Sequence, residues 1–440
     1  MKFNELNLSN PLLNAIADLG YAEPTTIQVK AFSPIMAGKD VLGIAQTGTG
    51  KTFAYLMPLI RQWNYSKKKV PEILILVPTR ELVVQVVEEC EKLAKYTAFS
   101  VTGVYGGTNI KTQILAISNG VDLVVATPGR LIDLIMNGTI QAKFIKKLVI
   151  DEVDEMLNLG FRSQLTTLFD LLPVRRQTLM FSATITEDVT ALIEANFTNP
   201  IKIEAAPTGT PLSNITQIGY RVPNFTTKVN FLEHLLTTDK SMTKVLVFAG
   251  SKRLADEVNR IIEHKFPDQL AVIHSNKAQN IRFKTVEQFE NGACRILIAS
   301  DIISRGLDVT SVSHVINMDV PPVAENYIHR IGRTGRAEQK GIAITFITDS
   351  DWEYKNNVEA LMGLTIPLME LPEEVEISEF LTQDEQPVVN MKIIEVRQPK
   401  QTPKGPSFHE KKEKNKKVNV KVSRSDSKKQ KYGAKYTRES

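Results

Sequence analysis

Two stretches of this chain carry residue types that can act on a phosphate ester. Ala45-Gln46-Thr47-Gly48-Thr49-Gly50-Lys51-Thr52 follows the apolar run Val41-Leu42-Gly43-Ile44, and Asp151-Glu152-Val153-Asp154 follows Leu148-Val149-Ile150. Glycines in the first let backbone N–H groups approach phosphate, and a helix starting at its end adds a positive dipole. Lys51 can reach β- and γ-phosphates, and Thr52 can offer its hydroxyl to Mg²⁺. Ala45 stands where the strict pattern has glycine, but strand before and helix after outweigh that departure. The second stretch sets carboxylates at the exposed end of a buried strand, where α/β proteins bind ligands. Asp151 is the natural metal-side carboxylate, and Glu152 can orient and polarise an attacking water. Asp154 suits a catalytic role or a structural pairing across the sheet edge equally. Together the stretches form two halves of one Mg-nucleotide site.

Loops of this kind need strands to hold them. Ile73-Leu74-Ile75-Leu76-Val77, Leu123-Val124-Val125-Ala126 and Leu179-Met180-Phe181 add apolar runs before about residue 205, with amphipathic stretches between. Leu82, Val86, Cys90 and Leu93 recur at helical spacing. Such alternation implies a parallel sheet with helices on both faces. Ala205-Ala206-Pro207-Thr208-Gly209-Thr210-Pro211 reads as a linker. The alternation resumes at 245–248, 270–273, 296–299, 314–316 and 342–346 and ends near Leu371. A chain of 440 residues exceeds one core, so the expected plan is two α/β domains, 31–205 and 215–372, after an N-terminal region 1–30 and across a linker 206–214. Residues 373–398 are ambiguous, with the pattern of a short helix and an extended segment.

Composition narrows the class. With 42% hydrophobic and 23% charged residues the chain has ordinary globular content. It has no apolar run of membrane-span length and no signal-peptide start. Cys90 and Cys294 are far apart and lack metal-ligand spacing, which suits a reducing cytosol. From Pro399 to Ser440 fourteen Lys or Arg stand against four Asp or Glu, so the net charge of +5 comes from the tail and the body is mildly acidic. This tail has too few apolar residues to fold alone.

The whole pattern, from Phe3 to about residue 370, resembles a DEAD-box RNA helicase of superfamily 2, with two RecA-like domains. The frame Phe3, Gly20, Tyr21, Pro24, Thr25 and Gln28 resembles the family's Q motif. That likeness implies that Gln28 reads the adenine edge while Tyr21 stacks on the base, so the nucleotide is ATP. Ser182-Ala183-Thr184 resembles the coupling motif, whose hydroxyls would bond the acidic stretch. His329-Arg330-Ile331-Gly332-Arg333-Thr334-Gly335-Arg336 resembles the motif bearing arginine fingers, here Arg333 and Arg336. Ser300-Asp301 and Arg305-Gly306-Leu307-Asp308 resemble the motif before it, which implies a ribose contact for Asp308 and a domain-interface role for Arg305. His329 is implied to join the interdomain network to the acidic motif.

The resemblance also assigns nucleic-acid contacts. Pro78-Thr79-Arg80-Glu81-Leu82, Gly106-Gly107 and Thr127-Pro128-Gly129-Arg130 would line one RNA strand, with Gln279 and Arg282 on the other domain. Loops of this type offer N–H groups, hydroxyls and guanidinium to phosphates and carry no sequence information. RNA would be told from DNA by its 2′-hydroxyls.

The implied activity is RNA-stimulated ATP hydrolysis driving local, non-processive strand separation. The implied molecule is cytoplasmic, monomeric and bacterial in type, with the basic tail adding RNA affinity and ribosomal or RNA-decay proteins as partners. A nonenzymatic, ATP-gated RNA clamp of the same fold is the alternative, and a DNA translocase a third. Intact Lys51, Asp151, Glu152, Arg333 and Arg336 favour the enzyme. Val153 replaces the family's alanine and should tighten packing beside the carboxylates. Ser275, Ser300 and Ile302-Ile303-Ser304 also depart from the usual residues, without removing a group needed for hydrolysis.

Overall fold

The structure, a computed structural model, describes residues 1–386 except 46–47, 67–69, 198, 206–213, 301–308, 310–311, 336–339 and 383–384. Most of the expected linker and the whole basic tail lie outside the described residues.

Strands of two to seven residues form two seven-stranded sheets, one in each half of the chain. The first contains β1 (Val41–Ile44), β2 (Ile73–Leu76), β3 (Val101–Val104), β4 (Leu123–Ala126), β5 (Lys147–Ile150), β6 (Gln177–Ser182) and β7 (Ile201–Glu204). Their order is β3-β4-β2-β5-β6-β1-β7, with every neighbouring pair parallel. β1, β2, β4 and β6 are buried throughout, as strands covered by helices on both faces must be. One apolar layer packs Ile75, Val149, Leu179 and Phe181 under the helices Thr26–Met36, Lys51–Arg61 and Arg80–Ala94. The opposite layer packs Leu74, Leu148, Ile150 and Met180 against Leu131, Val153 and Leu165.

The second sheet contains β8 (Ile215–Arg221), β9 (Val245–Ala249), β10 (Leu270–Ile273), β11 (Ile296–Ser300), β12 (His314–Asn317), β13 (Gly341–Ile347) and β14 (Leu368–Met369). Its order is β10-β11-β9-β12-β13-β8-β14, again parallel. The strands that periodicity did not announce are β3, β7, β8 and β14. β3, β7 and β14 are exposed or half-exposed, and β8 mixes polar and apolar residues without a regular period. None of them presents a continuous apolar run.

Described residues 373–386 form no helix. They cross the N-terminus of the helix Phe225–Thr238, where Ser378 N–H donates to Thr227 Oγ1 at 3.0 Å and Asn230 Nδ2 donates to the Glu376 carbonyl at 2.9 Å. The Glu385 carboxylate accepts from Phe225 N–H at 2.6 Å, placing a negative charge where that helix has unpaired donors.

Candidate nucleotide site and nucleic-acid interface

Strand order brings the two phosphate-chemistry stretches together. β6 lies between β5 and β1, so the acidic stretch, the Ser182–Thr184 turn and the phosphate loop leave adjacent strand ends. Gly50 caps the helix Lys51–Arg61 with φ +85°, a left-handed conformation that glycine adopts without strain. A Cβ there would collide with the Gln28 amide. Lys51 is buried, and its Nζ has no hydrogen-bond partner among the described residues. A buried ammonium in that state is costly unless an anion meets it. The residues therefore fit a polyphosphate.

The cleft holding this loop has a volume of about 420 Å³. Tyr21, Gln28, Gly48, Gly50, Lys51 and Thr52 line it together with Asp151, Glu152 and Arg333. Ala45 is buried at the strand end, with its N–H donating to the Ser182 carbonyl at 3.0 Å. Thr49 is half-buried at the loop. Gln46 and Thr47 lie outside the described residues. Tyr21 is 53% exposed, its ring 5.4 Å from Phe53. Gln28 accepts from Thr25 N–H at 2.9 Å and donates to the Gly50 carbonyl at 3.2 Å, tying the N-terminal frame to the phosphate loop.

The acidic stretch is organised residue by residue. Asp151 is 6% exposed; it accepts from the Tyr55 hydroxyl at 2.9 Å and from Glu152 N–H at 3.0 Å. Burial raises its carboxyl above the ordinary range, with Lys51 opposing. Glu152 has φ +53°, a left-handed conformation costly for a side chain. Burial pushes its carboxyl up to about 7, although Lys51 and Arg333 pull it down. Val153 is fully buried among apolar residues. Asp154 accepts from Ala183 N–H at 3.2 Å, Thr184 N–H at 2.9 Å and Thr184 Oγ1 at 2.9 Å. Ser182 turns away and donates to the Thr184 carbonyl at 2.6 Å. Of the two hydroxyls expected to meet the acidic stretch, one does.

The second domain reaches the same site through the helix Ala324–Ile331 and the turn after it. His329 pairs with Glu155, both almost fully buried. Burial works against the imidazolium, but the Glu155 charge and hydrogen bond, with Asp154 and Glu152 behind them, hold it above its usual 6.5. Arg330 is 2% exposed and bonds the Asp319 carbonyl at 2.8 Å, with its guanidinium 5.4 Å from the Phe248 ring. Arg333 enters the nucleotide cleft. Arg305, Asp308 and Arg336 lie outside the described residues.

The assigned RNA face is already engaged. Arg80 donates to Gln279 Oε1 at 3.2 Å, Gln279 donates to Glu81 Oε1 at 2.7 Å, and Arg282 pairs with Glu81 at 2.6 Å. Gly107 has φ +79° and lies against the Arg80 guanidinium, where a Cβ would collide; Gly106 faces open space. Thr79 caps the helix Arg80–Ala94 by accepting from Leu82 N–H at 3.3 Å, after buried Pro78. Thr127 and Pro128 start the helix Pro128–Met136, with Gly129 open on its first turn. Arg130 bonds Gln113 Oε1 at 2.7 Å and the Thr108 carbonyl at 3.2 Å. Sequence reading missed Tyr55, Glu81 as an interdomain acceptor, the cleft residues Gln85 and Glu89, and Glu155. Each looks like an ordinary helix residue until the fold gives it a partner.

The comparisons with known proteins agree with this geometry. The DEAD/DEAH box helicase family model matches residues 25–192, and the helicase conserved C-terminal domain model matches residues 227–338. The DEAD-box ATP-dependent RNA helicase RhpA of Helicobacter pylori is 39% identical over 371 residues, which cover 84% of this chain and 74% of the relative. CshA of Bacillus cereus, also a DEAD-box ATP-dependent RNA helicase, is 36% identical over 370 residues, covering 84% and 70%. Among solved structures, S. cerevisiae Dbp5 bound to RNA and ADP BeF3 superposes with a TM-score of 0.76 at 27% identity, covering 84% of this chain and 95% of that one. The DEAD-box helicase Mss116 bound to ssRNA and UDP-BeF gives 0.78 at 27% identity, covering 84% and 80%. With two matched helicase domains, and relatives covered over most of their length, this chain belongs to the DEAD-box ATP-dependent RNA helicases.

Proposed function

We propose that the cleft shared by Lys51, Asp151, Glu152 and Arg333 hydrolyses ATP only when RNA helps hold the two domains together, and that this cycle locally separates RNA strands. The observation that carries the reading is the single cleft lined from both domains. Lys51 and the loop N–H groups bind the phosphates, and Gln28 and Tyr21 take the base. Thr52 and Asp151 hold Mg²⁺, largely through its water shell. Among the described residues no cluster of three or more acidic, His or Cys side chains could hold a metal alone, which suits an ion bound chiefly by substrate phosphates. When bound, it neutralises phosphate charge. Glu152 orients the attacking water and takes its proton. Arg333, with Arg336, neutralises charge developing on the γ-phosphate, a contribution of ~10³–10⁵ in rate for such arginines.

RNA binds across Pro78, Thr79, Arg80, Gly106, Gly107, Thr127, Pro128, Gly129, Arg130, Gln279 and Arg282, through backbone contacts without base preference. Asp154, Thr184, Ser182, Arg305 and His329 couple the two sites. The domains 31–205 and 215–372 move as units about the linker 206–214. The cellular reading is a cytoplasmic, bacterial-type monomer acting on ribosomal or decaying RNA; no described helix is long and apolar enough to cross a membrane. The deciding experiment is ATPase activity with and without RNA, in the wild type and in Glu152→Gln. Strong stimulation by RNA and little by DNA is expected. Equal rates without nucleic acid would sink the proposal.

A further inference from the structure

A phenol sits one helical turn beyond Thr52, on the same face of the helix Lys51–Arg61. Tyr55 is fully buried, and its hydroxyl donates to Asp151 Oδ2 at 2.9 Å. One buried O–H thus ties the helix that follows the phosphate loop to a residue of the acidic stretch. These contact points come from strands that are not neighbours, since β6 separates β1 from β5.

The phenol is itself held. Its ring lies 5.3 Å from Phe181 at an interplanar angle of 52°, and the Phe181 ring lies over Gly43, where any Cβ would collide. Asp151 is fixed from its other side, where Oδ1 accepts from Glu152 N–H at 3.0 Å. The carboxylate therefore has one orientation. Phenylalanine would fill the same apolar space, and a buried hydroxyl is costly unless bonded. Packing alone therefore does not account for the hydroxyl. Glu89 lines the cleft beside Gln85, which donates to it at 3.2 Å, and its charge also acts on Tyr55.

We propose that Tyr55 is a positioning residue for divalent-cation binding, holding the Asp151 carboxylate in one orientation before Mg²⁺ arrives. This rests on the reading of Thr52 and Asp151 as the metal-side groups. Hydrogen bonds that orient a ligating carboxylate typically cost about 10–100-fold in metal affinity when removed. The test uses the full chain and a fluorescent ADP analogue, with its affinity measured across a Mg²⁺ titration. In Tyr55→Phe the Mg²⁺ midpoint should rise about tenfold, while affinity for the Mg²⁺-free nucleotide stays at the wild-type level. In Asp151→Asn the Mg²⁺ response should collapse. A Tyr55→Phe midpoint within about twofold of wild type, beside a collapsed Asp151→Asn, would overturn the Tyr55 proposal alone. A parallel loss of Mg²⁺-free affinity in Tyr55→Phe would assign the phenol to packing and overturn it too. An unchanged Mg²⁺ response in Asp151→Asn would overturn the metal-side reading first and the proposal with it.

Discussion

The nucleotide cleft and the face proposed to bind RNA are organised in opposite ways. In the cleft Lys51 Nζ is buried with no hydrogen-bond partner among the described residues, and burial pushes the Glu152 carboxyl up to about 7. On the RNA face the decisive groups answer one another, with Arg282 on Glu81, Arg80 on Gln279 and Arg130 on Gln113. The cleft is preorganised, so phosphate binding relieves a desolvation cost already present. If RNA binds this face as proposed, Arg80, Arg130 and Arg282 exchange these partners for phosphates, which would tie RNA binding to side chains from both domains. Preorganisation serves chemistry, and exchangeable pairs serve coupling.

The largest test of the contrast is Arg333→Ala. It removes the second domain's charge from the cleft and should lower the RNA-stimulated ATPase rate about 10³-fold or more, with fluorescent nucleotide affinity little changed. A loss under tenfold would mean the cleft works from the first domain alone. Next, Glu152→Gln should cost about 10²–10⁴ in rate, the range for a positioned general base, read as phosphate release under single turnover. Retained nucleotide binding keeps that loss assigned to chemistry.

A pH profile separates the two regions further. Glu152 must be ionised to take a proton, so kcat/KM for ATP should fall as pH drops below about 7. His329 works in the other direction. Its folded pKa is raised, so its charged pairing with Glu155 is fully present below 6.5 and is lost as pH climbs through the raised value. The expected profile is bell-shaped, and Glu155→Gln should remove the alkaline limb only. Because Glu152 also acts on His329, the two limbs belong to the coupled group. An alkaline limb that persists in Glu155→Gln would break the assignment.

On the RNA face, Glu81→Gln removes a negative charge from beside the expected phosphate path and frees Arg282. Nucleotide-free RNA affinity should rise a few-fold, measured by anisotropy. A fall would show that the pairs belong to the RNA-bound arrangement and would reverse the contrast. The smallest effect is truncation before Pro399. RNA affinity should weaken mainly at low salt, with a slope of about −0.7 per neutralised phosphate on single strands. Unchanged affinity at low salt would remove the tail from the RNA-binding reading.

Sequence legibility followed the same division. Apolar runs announced β1, β2, β4, β5 and β6 because these strands are covered on both faces. The half-exposed β3 and the exposed-edge β7 left no such run. The stretch 373–386 reads ambiguously because its order comes from bonds to the helix Phe225–Thr238 rather than from its own periodicity.

The sequence by itself determined the chemistry on offer: an ammonium, a hydroxyl, two carboxylates and glycines at strand ends, with arginines spaced for a second wall. Those follow from local residue types, since a strand end and a helix start are short-range features. Only the tertiary structure decided who meets whom. Parallel order put β6 between β1 and β5, gave Asp154 to Thr184 rather than Ser182, and brought Tyr55 to Asp151. It also paired Glu155 with His329, 174 positions later. The reason is physical: buried polar groups must find partners, and the partners near them are chosen by sheet order and helix packing, which no local pattern encodes.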